Sequence, residues 1–426
     1  MAVSFIFHIF FVAFGIGLPG AMSFAEFRAN LTGDQVWIAL ARKWAKGFAI
    51  LFAVGAVSGT ILSISLPLFW PRMMGRWGAL FGFPFMLEAF CFFLEAIFLG
   101  IYLYGWDRLA PWPHWWAGVG ISASGLLASV FVMAANGWMQ TPVGFTLTAS
   151  GALADVSPWK AILNPSMPFE AVHMIFAAYM VMGFSLACIY ARRLLRDRTD
   201  RYARRGMAVG LVIGLAFAPL QVVAGDRLAV QVARDQPAKL AAMEGLWRTQ
   251  ARAPETIGGI VVASRQETVG GIHIPGLLSL LVHGHVNATV RGLDAFPSSD
   301  RPADLNLVHV PFDLMVAIGF GLVGLGLWTL IAGWRRRRLP DGKWFLRAVM
   351  VSAPAALVAL ESGWMVTEIG RQPWIVYNYM RTIDAATSRT GIWVWLAVIV
   401  GVYLVLAVST GWLLTRLADR PIGSPA

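Results

Sequence analysis

The sequence predicts an all-α fold: a polytopic membrane helical bundle of nine transmembrane helices, with its N-terminus outside and its C-terminus cytoplasmic. Three observations predict it. Hydrophobic residues fill 58% of the 426 positions and charged residues only 13%, roughly half the charged share of soluble domains. Nine apolar stretches, at 2–24, 46–69, 77–104, 115–137, 168–191, 206–224, 310–333, 345–369 and 392–416, approach or exceed the roughly 20 residues that a bilayer core requires. Lysine and arginine gather in particular short connections, and that asymmetry sets orientation.

The first stretch opens at Ala2 without a basic n-region. No cleavable signal peptide is therefore expected, and so abrupt a start suits a longer natural N-terminus. Connection 192–205 carries seven arginines: Arg192, Arg193, Arg196, Arg198, Arg201, Arg204 and Arg205. Arg335 to Arg338 and Lys343 follow the seventh stretch. Both clusters belong on the cytoplasmic side, and the two spans between them make the assignments agree. Counting back puts 26–45, with Arg28, Arg42, Lys43 and Lys46, on that side as well. The net charge of +11 thus reports topology and lipid headgroups, with no nucleic acid as partner.

Segment 225–309 is the one sizeable extramembrane piece, and it falls outside. It divides the chain into 1–224 with six spans, 225–309 as an outer loop, and 310–426 with three spans. A loop of that length is more often functional than decorative. Cys91 and Cys188 lie in apolar stretches, which argues against a disulfide framework or a thiolate metal site.

The chemistry centres on Glu361-Ser-Gly-Trp-Met-Val-Thr-Glu-Ile-Gly-Arg-Gln-Pro-Trp374. Glu361 and Glu368 are seven apart, so a helix puts both on one face. Gly370 and Pro373 end that helix. Arg371 then stands just beyond it, where a guanidinium can grip a carboxylate or a cofactor propionate. A solvated helix end with a surface Arg is the plain alternative. His173 and Met315 each sit about five residues inside an apolar stretch, roughly 8 Å deep from the same face. Such a pair can hold one haem iron from opposite sides; a hydrogen-bonded His and a core Met remain the alternative. His8 lies within an aromatic run from Phe5 to Phe11, suited to a haem iron left open on its other side or to a structural histidine. Glu88 and Glu95, also seven apart, each cost about 2.5–3.5 kcal/mol at the bilayer centre. They read as a proton relay or cofactor neighbours, with an interhelical polar contact as the alternative. His114, His273, His283, His285 and His309 fall in loops or at a span boundary, and His283-x-His285 is a weak metal signal.

Gly370-Arg-Gln-Pro-Trp374 with Glu368, Gly105-Trp-Asp-Arg-Leu109, Asn136-Gly-Trp-Met-Gln140 and the Lys239/Glu244 pair carry a resemblance. Along nearly its full length the chain resembles subunit I of cytochrome bd-type quinol oxidases, in the short quinol-loop branch. The resemblance implies three haems: a low-spin haem b (b558-type), a high-spin haem b (b595-type), and haem d or a haem b in its place. His173 and Met315 match the low-spin axial ligands, and His8 and Glu368 the ligands of the two high-spin haems. Glu88 matches the carboxylate beside the oxygen-reducing haem, and Glu95 the next station of a proton path. Lys239 and Glu244 match quinol-loop residues, Arg371 a residue that stabilises the reduced low-spin haem, and Trp364 an aromatic lodged between haems. Two departures accompany the match. Asp313 stands where some members carry Arg, and Glu88 and Glu95 are seven apart where other members have eight.

The expected function is quinol:oxygen oxidoreduction in the bacterial cytoplasmic (inner) membrane. Quinol, ubiquinol or menaquinol, is oxidised at the outer loop, electrons pass by the His173/Met315 haem to the high-spin pair, and O2 becomes water. Protons come from the cytoplasmic side past Glu95, so proton motive force arises without pumping. Implied partners are subunit II, a small single-span subunit and the lipid bilayer. The rivals are a haem-b quinol dehydrogenase that passes electrons to another protein, and an ion transporter without haem.

Overall fold

The computed structural model describes residues 1–419. In chain order its helices are α1 (Ala2–Thr32), α2 (Gln35–Phe69), α3 (Pro71–Gly105), α4 (Pro111–Gln140), α5 (Pro158–Ile162), α6 (Met167–Arg196) and α7 (Arg201–Asp235). There follow α8 (Pro237–Met243), α9 (Leu277–His283), α10 (Asn306–Arg336), α11 (Lys343–Gly370), α12 (Thr382–Ala385) and α13 (Ile392–Asp419). Among the described residues nine of these are long and apolar enough to cross a membrane, all but α5, α8, α9 and α12.

Each spanning helix covers an apolar stretch seen in the sequence, but several run further. Region 26–45, expected as a connection, is helical except for Gly33 and Asp34. Helix α7 continues to Asp235, so the first part of segment 225–309 is helical. Hydropathy marks the part of a helix that needs lipid; the backbone ladder continues until a cap stops it. Gly33, at φ 67°, provides that stop for α1, and Asp34 starts α2 by accepting the Val36 amide at 3.0 Å.

The connections alternate between two faces. Turns 33–34, 106–110, 197–200 and 337–342 gather on one of them. There Arg205 pairs with Asp34 at 2.6 Å, Arg204 with Asp341 at 3.6 Å and Arg42 with Asp107 at 3.0 Å. Exposed pairs of this kind contribute only about 0–1 kcal/mol each, so they mark placement more than stability. The opposite face carries connections 141–166, 236–305 and 371–391.

Helix α6 is central, packed on α7, α11, α1 and α4. Glycine permits its close approach to α7: a Cβ at Gly183 would lie 2.8 Å from the Gly210 carbonyl oxygen. Helix α13 is peripheral, lying chiefly against α2. The segment after α7 is made of short antiparallel strand pairs, 255–257 with 272–274 and 260–262 with 267–269. It buries Trp247, Val261 and Leu293 against Val308 of α10 and Val366 of α11. That packing sets the segment firmly on the ends of the helices that carry the chemistry.

Candidate functional site

Helix α11 ends at Gly370, as its sequence demands, and the first residue beyond it turns inward. Arg371 is 1% exposed and donates from Nη2 to Glu368 Oε2 at 2.6 Å. The other carboxylate oxygen, Oε1, accepts from Asn136 Nδ2 at 2.9 Å. Gln140 Nε2 supports Asn136 Oδ1 at 3.3 Å, and Gln236 Nε2 reaches Gln140 Oε1 at 2.8 Å. Asn136 and Gln140 are one helical turn apart, which aligns them on one face of α4. The Asn136–Gln140 and Gly370–Trp374 motifs are therefore two halves of one polar network. Gly370 has its own reason: a Cβ there would lie 2.9 Å from Lys239 Cγ.

Beside this network a cavity of about 310 Å³ opens between α6, α7, α10 and α11. His173 enters it from α6 and Met315 from α10, with Trp364, Glu170, Glu244 and Glu255 also in its wall. The imidazole of His173 has Gln221 Nε2 at 3.1 Å from Nε2 and 3.3 Å from Nδ1. Glycines leave both donors room. A Cβ at Gly225 would lie 3.3 Å from His173 Cε1, and one at Gly363 would lie 2.8 Å from Met315 Sδ.

His8 stands apart on the α1–α2 seam, with Nδ1 2.9 Å from Ser58 Oγ and Gly59 leaving space beside the ring. Glu95 is 5% exposed and faces Gly125 of α4, where a Cβ would come within 3.0 Å of Oε1. Glu88 lies two turns away on α3 and is half-buried. Neither carboxylate lines the His173/Met315 cavity. Glu361 is in α11 with both carboxylate oxygens buried and unpartnered.

Lys239 and Glu244 do not meet. Lys239 lies in α8, whose C-cap is Glu244, and five residues along a helix turn the second side chain well away from the first. The ammonium of Lys239 donates to the Thr367 carbonyl at 3.3 Å. Burial lowers its pKa to about 8, against the opposing pull of Glu170. The Glu244 carboxyl faces the cavity instead, held well above the usual carboxylate range by burial and then by the charges of Glu255 and Asp313.

Several residues carry more than the sequence suggested. Glu170 is one helical turn before His173, a spacing that signals a shared face. Gln221 and Glu255 had no local signal. His114 and His309, expected in loops or at a span boundary, are buried inside helices, 2% and 0% exposed. His114 Nδ1 lies 2.6 Å from Glu26 Oε1.

The donor set suits haem: a part-buried imidazole and a thioether line one largely apolar cavity, each beside a glycine that leaves it room. Arg371 Nε and Nη1 and Trp364 Nε1 are buried without a partner, as N–H groups awaiting an acidic substituent would be.

Comparison with known proteins agrees. The family model for cytochrome bd terminal oxidase subunit I matches residues 1–422. The chain is 33% identical over 415 residues to the putative cytochrome bd menaquinol oxidase subunit I of Bacillus subtilis, covering 96% of this chain and 92% of that one. It is 26% identical to the cytochrome bd-II ubiquinol oxidase subunit 1 of Escherichia coli, covering 98% and 94%. The bd oxidase structure from Geobacillus thermodenitrificans superposes with a TM-score of 0.92 at 33% identity, over 98% of this chain and 96% of that chain. These relatives do not favour the dehydrogenase and transporter alternatives. With helices, cavity and relatives in agreement, the chain belongs to the cytochrome bd terminal oxidase subunit I family, as the haem-containing subunit of a quinol oxidase of the bacterial inner membrane that uses O2 and works with a partner subunit.

Proposed function

We propose that His173 and Met315 hold a low-spin haem b, and that His8 and Glu368 are the protein ligands of two high-spin haems, one haem b and one haem d or haem b. One observation carries this reading: the imidazole and the thioether reach the same cavity from α6 and α10, together with Glu244 from the extramembrane segment. Bound haem supplies one-electron transfer and oxygen reduction. The chain's own residues bind, orient and move protons. Arg371 offers its unpartnered N–H groups to a propionate, and Trp364 packs beside the haems, with Phe5 at 5.8 Å between ring centroids. Glu244 takes a proton from quinol as it is oxidised, and Lys239 contributes a positive charge at the α8 end of the quinol segment. Glu95 passes protons from the basic face toward Glu88.

The basic face is cytoplasmic under the positive-inside rule, which puts the N-terminus and the quinol segment outside. Quinol protons then leave outside and protons for water are drawn from inside, so the reaction is electrogenic without a pump. On this reading 1–224 supplies His8, His173 and the proton-path carboxylates, 225–309 the quinol segment, and 310–426 Met315 and the Gly370–Trp374 motif. The relatives are named as menaquinol and ubiquinol oxidases, and the quinol of this chain is one of the two. Subunit II and a small single-span subunit complete the complex.

The test is a reduced-minus-oxidised visible spectrum of the purified oxidase. His173→Ala is expected to remove the sharp low-spin band while high-spin features persist. Met315→Leu is expected to alter that band, because the thioether is the weaker ligand. Unchanged spectra in both variants refute the assignment.

A further inference from the structure

Glu255 reaches the cavity wall from strand 255–257 of the extramembrane segment and meets Glu244 there. The two carboxyls lie within hydrogen-bonding reach of each other. Each side chain keeps one buried oxygen, Oε2, with no partner. Two adjacent carboxyls are an expensive way to build a structural contact, since like charges in a buried site cannot both ionise easily. A glutamine at either position would make the same bond without that penalty. The pair instead has the constitution of a proton-sharing dyad, with one O–H and one free acceptor.

A third carboxylate lies nearby. Asp313 of α10 is close enough to bear on the charge of both glutamates, and its side chain is one-fifth exposed. Its Oδ2 accepts the Gly258 amide at 2.8 Å and lies 3.4 Å from His309 Nε2. His309 is fully buried, with Nδ1 2.7 Å from the Met243 carbonyl oxygen, so its ring is held in place beside Asp313.

We propose that Glu255 is a second proton acceptor for quinol oxidation: it shares one proton with Glu244 in the cavity wall and accepts another from the substrate. The inference rests on the placement of quinol oxidation at Glu244. The balance is simple. Quinol loses two O–H protons and two electrons to become quinone; the electrons go to the oxidase's own redox centres, which O2 re-oxidises. A dyad that already holds one proton takes only one more. The second quinol proton therefore requires the dyad to empty to the outer aqueous side between the two steps. Burial pushes the Glu255 carboxyl up, with the Glu244 bond opposing the shift and Asp313 adding to it, which favours its holding a proton.

The experiment uses the purified oxidase complex and measures oxygen uptake with a short-chain quinol and, separately, with ascorbate and tetramethylphenylenediamine. Glu255→Gln is expected to lower quinol kcat about tenfold or more, with KM, haem content and the artificial-donor rate near wild type. Glu255→Asp is expected to recover much of the loss, and Glu255→Asn not to. If Glu255→Gln fails to assemble, the isosteric Asp and Asn variants carry the comparison, and equal quinol turnover in those two overturns the proposal. A raised KM with unchanged kcat also overturns it, making Glu255 a binding contact. If Glu244→Gln loses quinol turnover while Glu255→Gln stays within twofold of wild type, the dyad fails and the quinol site stands. If Glu244→Gln keeps full quinol turnover, the quinol site itself is elsewhere and the dyad falls with it.

Discussion

Asn136 on α4 donates from Nδ2 to Glu368 Oε1 on α11 across 2.9 Å, joining two motifs that lie 232 positions apart. The bond leaves the carboxylate satisfied on both oxygens, by an amide on one and by the Arg371 guanidinium on the other. It also holds Glu368 in one orientation at the end of a helix, where an iron ligand or a propionate clamp must be exact to work. Asn136→Leu strands Glu368 Oε1 and Gln140 Nε2 together. The expected cost is about 1–3 kcal/mol, read as a lower thermal midpoint of the complex, with high-spin haem absorption perturbed and the low-spin band retained.

Lys239 is expected to make quinol turnover pH-dependent. Burial brings its pKa to about 8, with Glu170 opposing the shift, Arg371 reinforcing it and Glu368 opposing it. The ammonium is therefore charged at pH 7 and lost as pH rises through about 8. If that charge helps hold quinol, quinol-driven oxygen uptake falls over this window while uptake with an artificial donor does not. Lys239→Arg keeps the charge and is expected to carry the fall to higher pH; an unmoved profile counts against the role.

The α3 carboxylates are expected to divide into two roles. Glutamine can hydrogen-bond but cannot exchange protons during turnover, so Glu95→Gln is expected to slow oxygen reduction while haem content survives. Glu88→Gln is expected to disturb the oxygen-reducing haem itself. Haem content and single-turnover oxygen kinetics on both variants separate the two. A Glu95→Gln enzyme at the wild-type rate makes that residue structural.

The Glu26–His114 pair is a prediction about stability. Both side chains are 3% exposed, and His114 Nε2 lies 2.8 Å from the Tyr102 carbonyl oxygen, so one imidazole ties α1, α3 and α4 together. His114→Ala leaves Glu26 buried and unpaired, at a cost of about 3–5 kcal/mol. A double Glu26→Leu/His114→Leu variant is expected to recover much of it. Thermal unfolding of the purified complex reads both, and an unchanged midpoint for His114→Ala contradicts the pairing.

The sequence by itself determined the nine spans, the basic face and the kinds of side chain available to bind haem. Those properties are local: roughly twenty apolar residues partition into lipid whatever their neighbours do, and a buried Glu or a histidine in an apolar run stands out because it is costly there. The motifs around Asn136 and Arg371 were visible for the same reason, each being a short run of unusual residues. Helix ends were less legible, since α1, α2 and α7 continue past their apolar parts until a cap stops them.

Only the tertiary structure decided which groups meet. That Asn136 faces Glu368, that Gln221 and Gly225 flank His173, and that Lys239 and Glu244 diverge around α8 all depend on how helices pack and rotate. Glu255 lies on a short strand in a segment with no hydrophobic periodicity to read, and its meeting with Glu244 depends on that segment folding down onto α10 and α11. His114 looked like a boundary residue because its own neighbours are a helix start. Its partner Glu26 arrives from a different helix, and a sequence periodicity of 3.6 carries no information about which face of one helix a second will present to it.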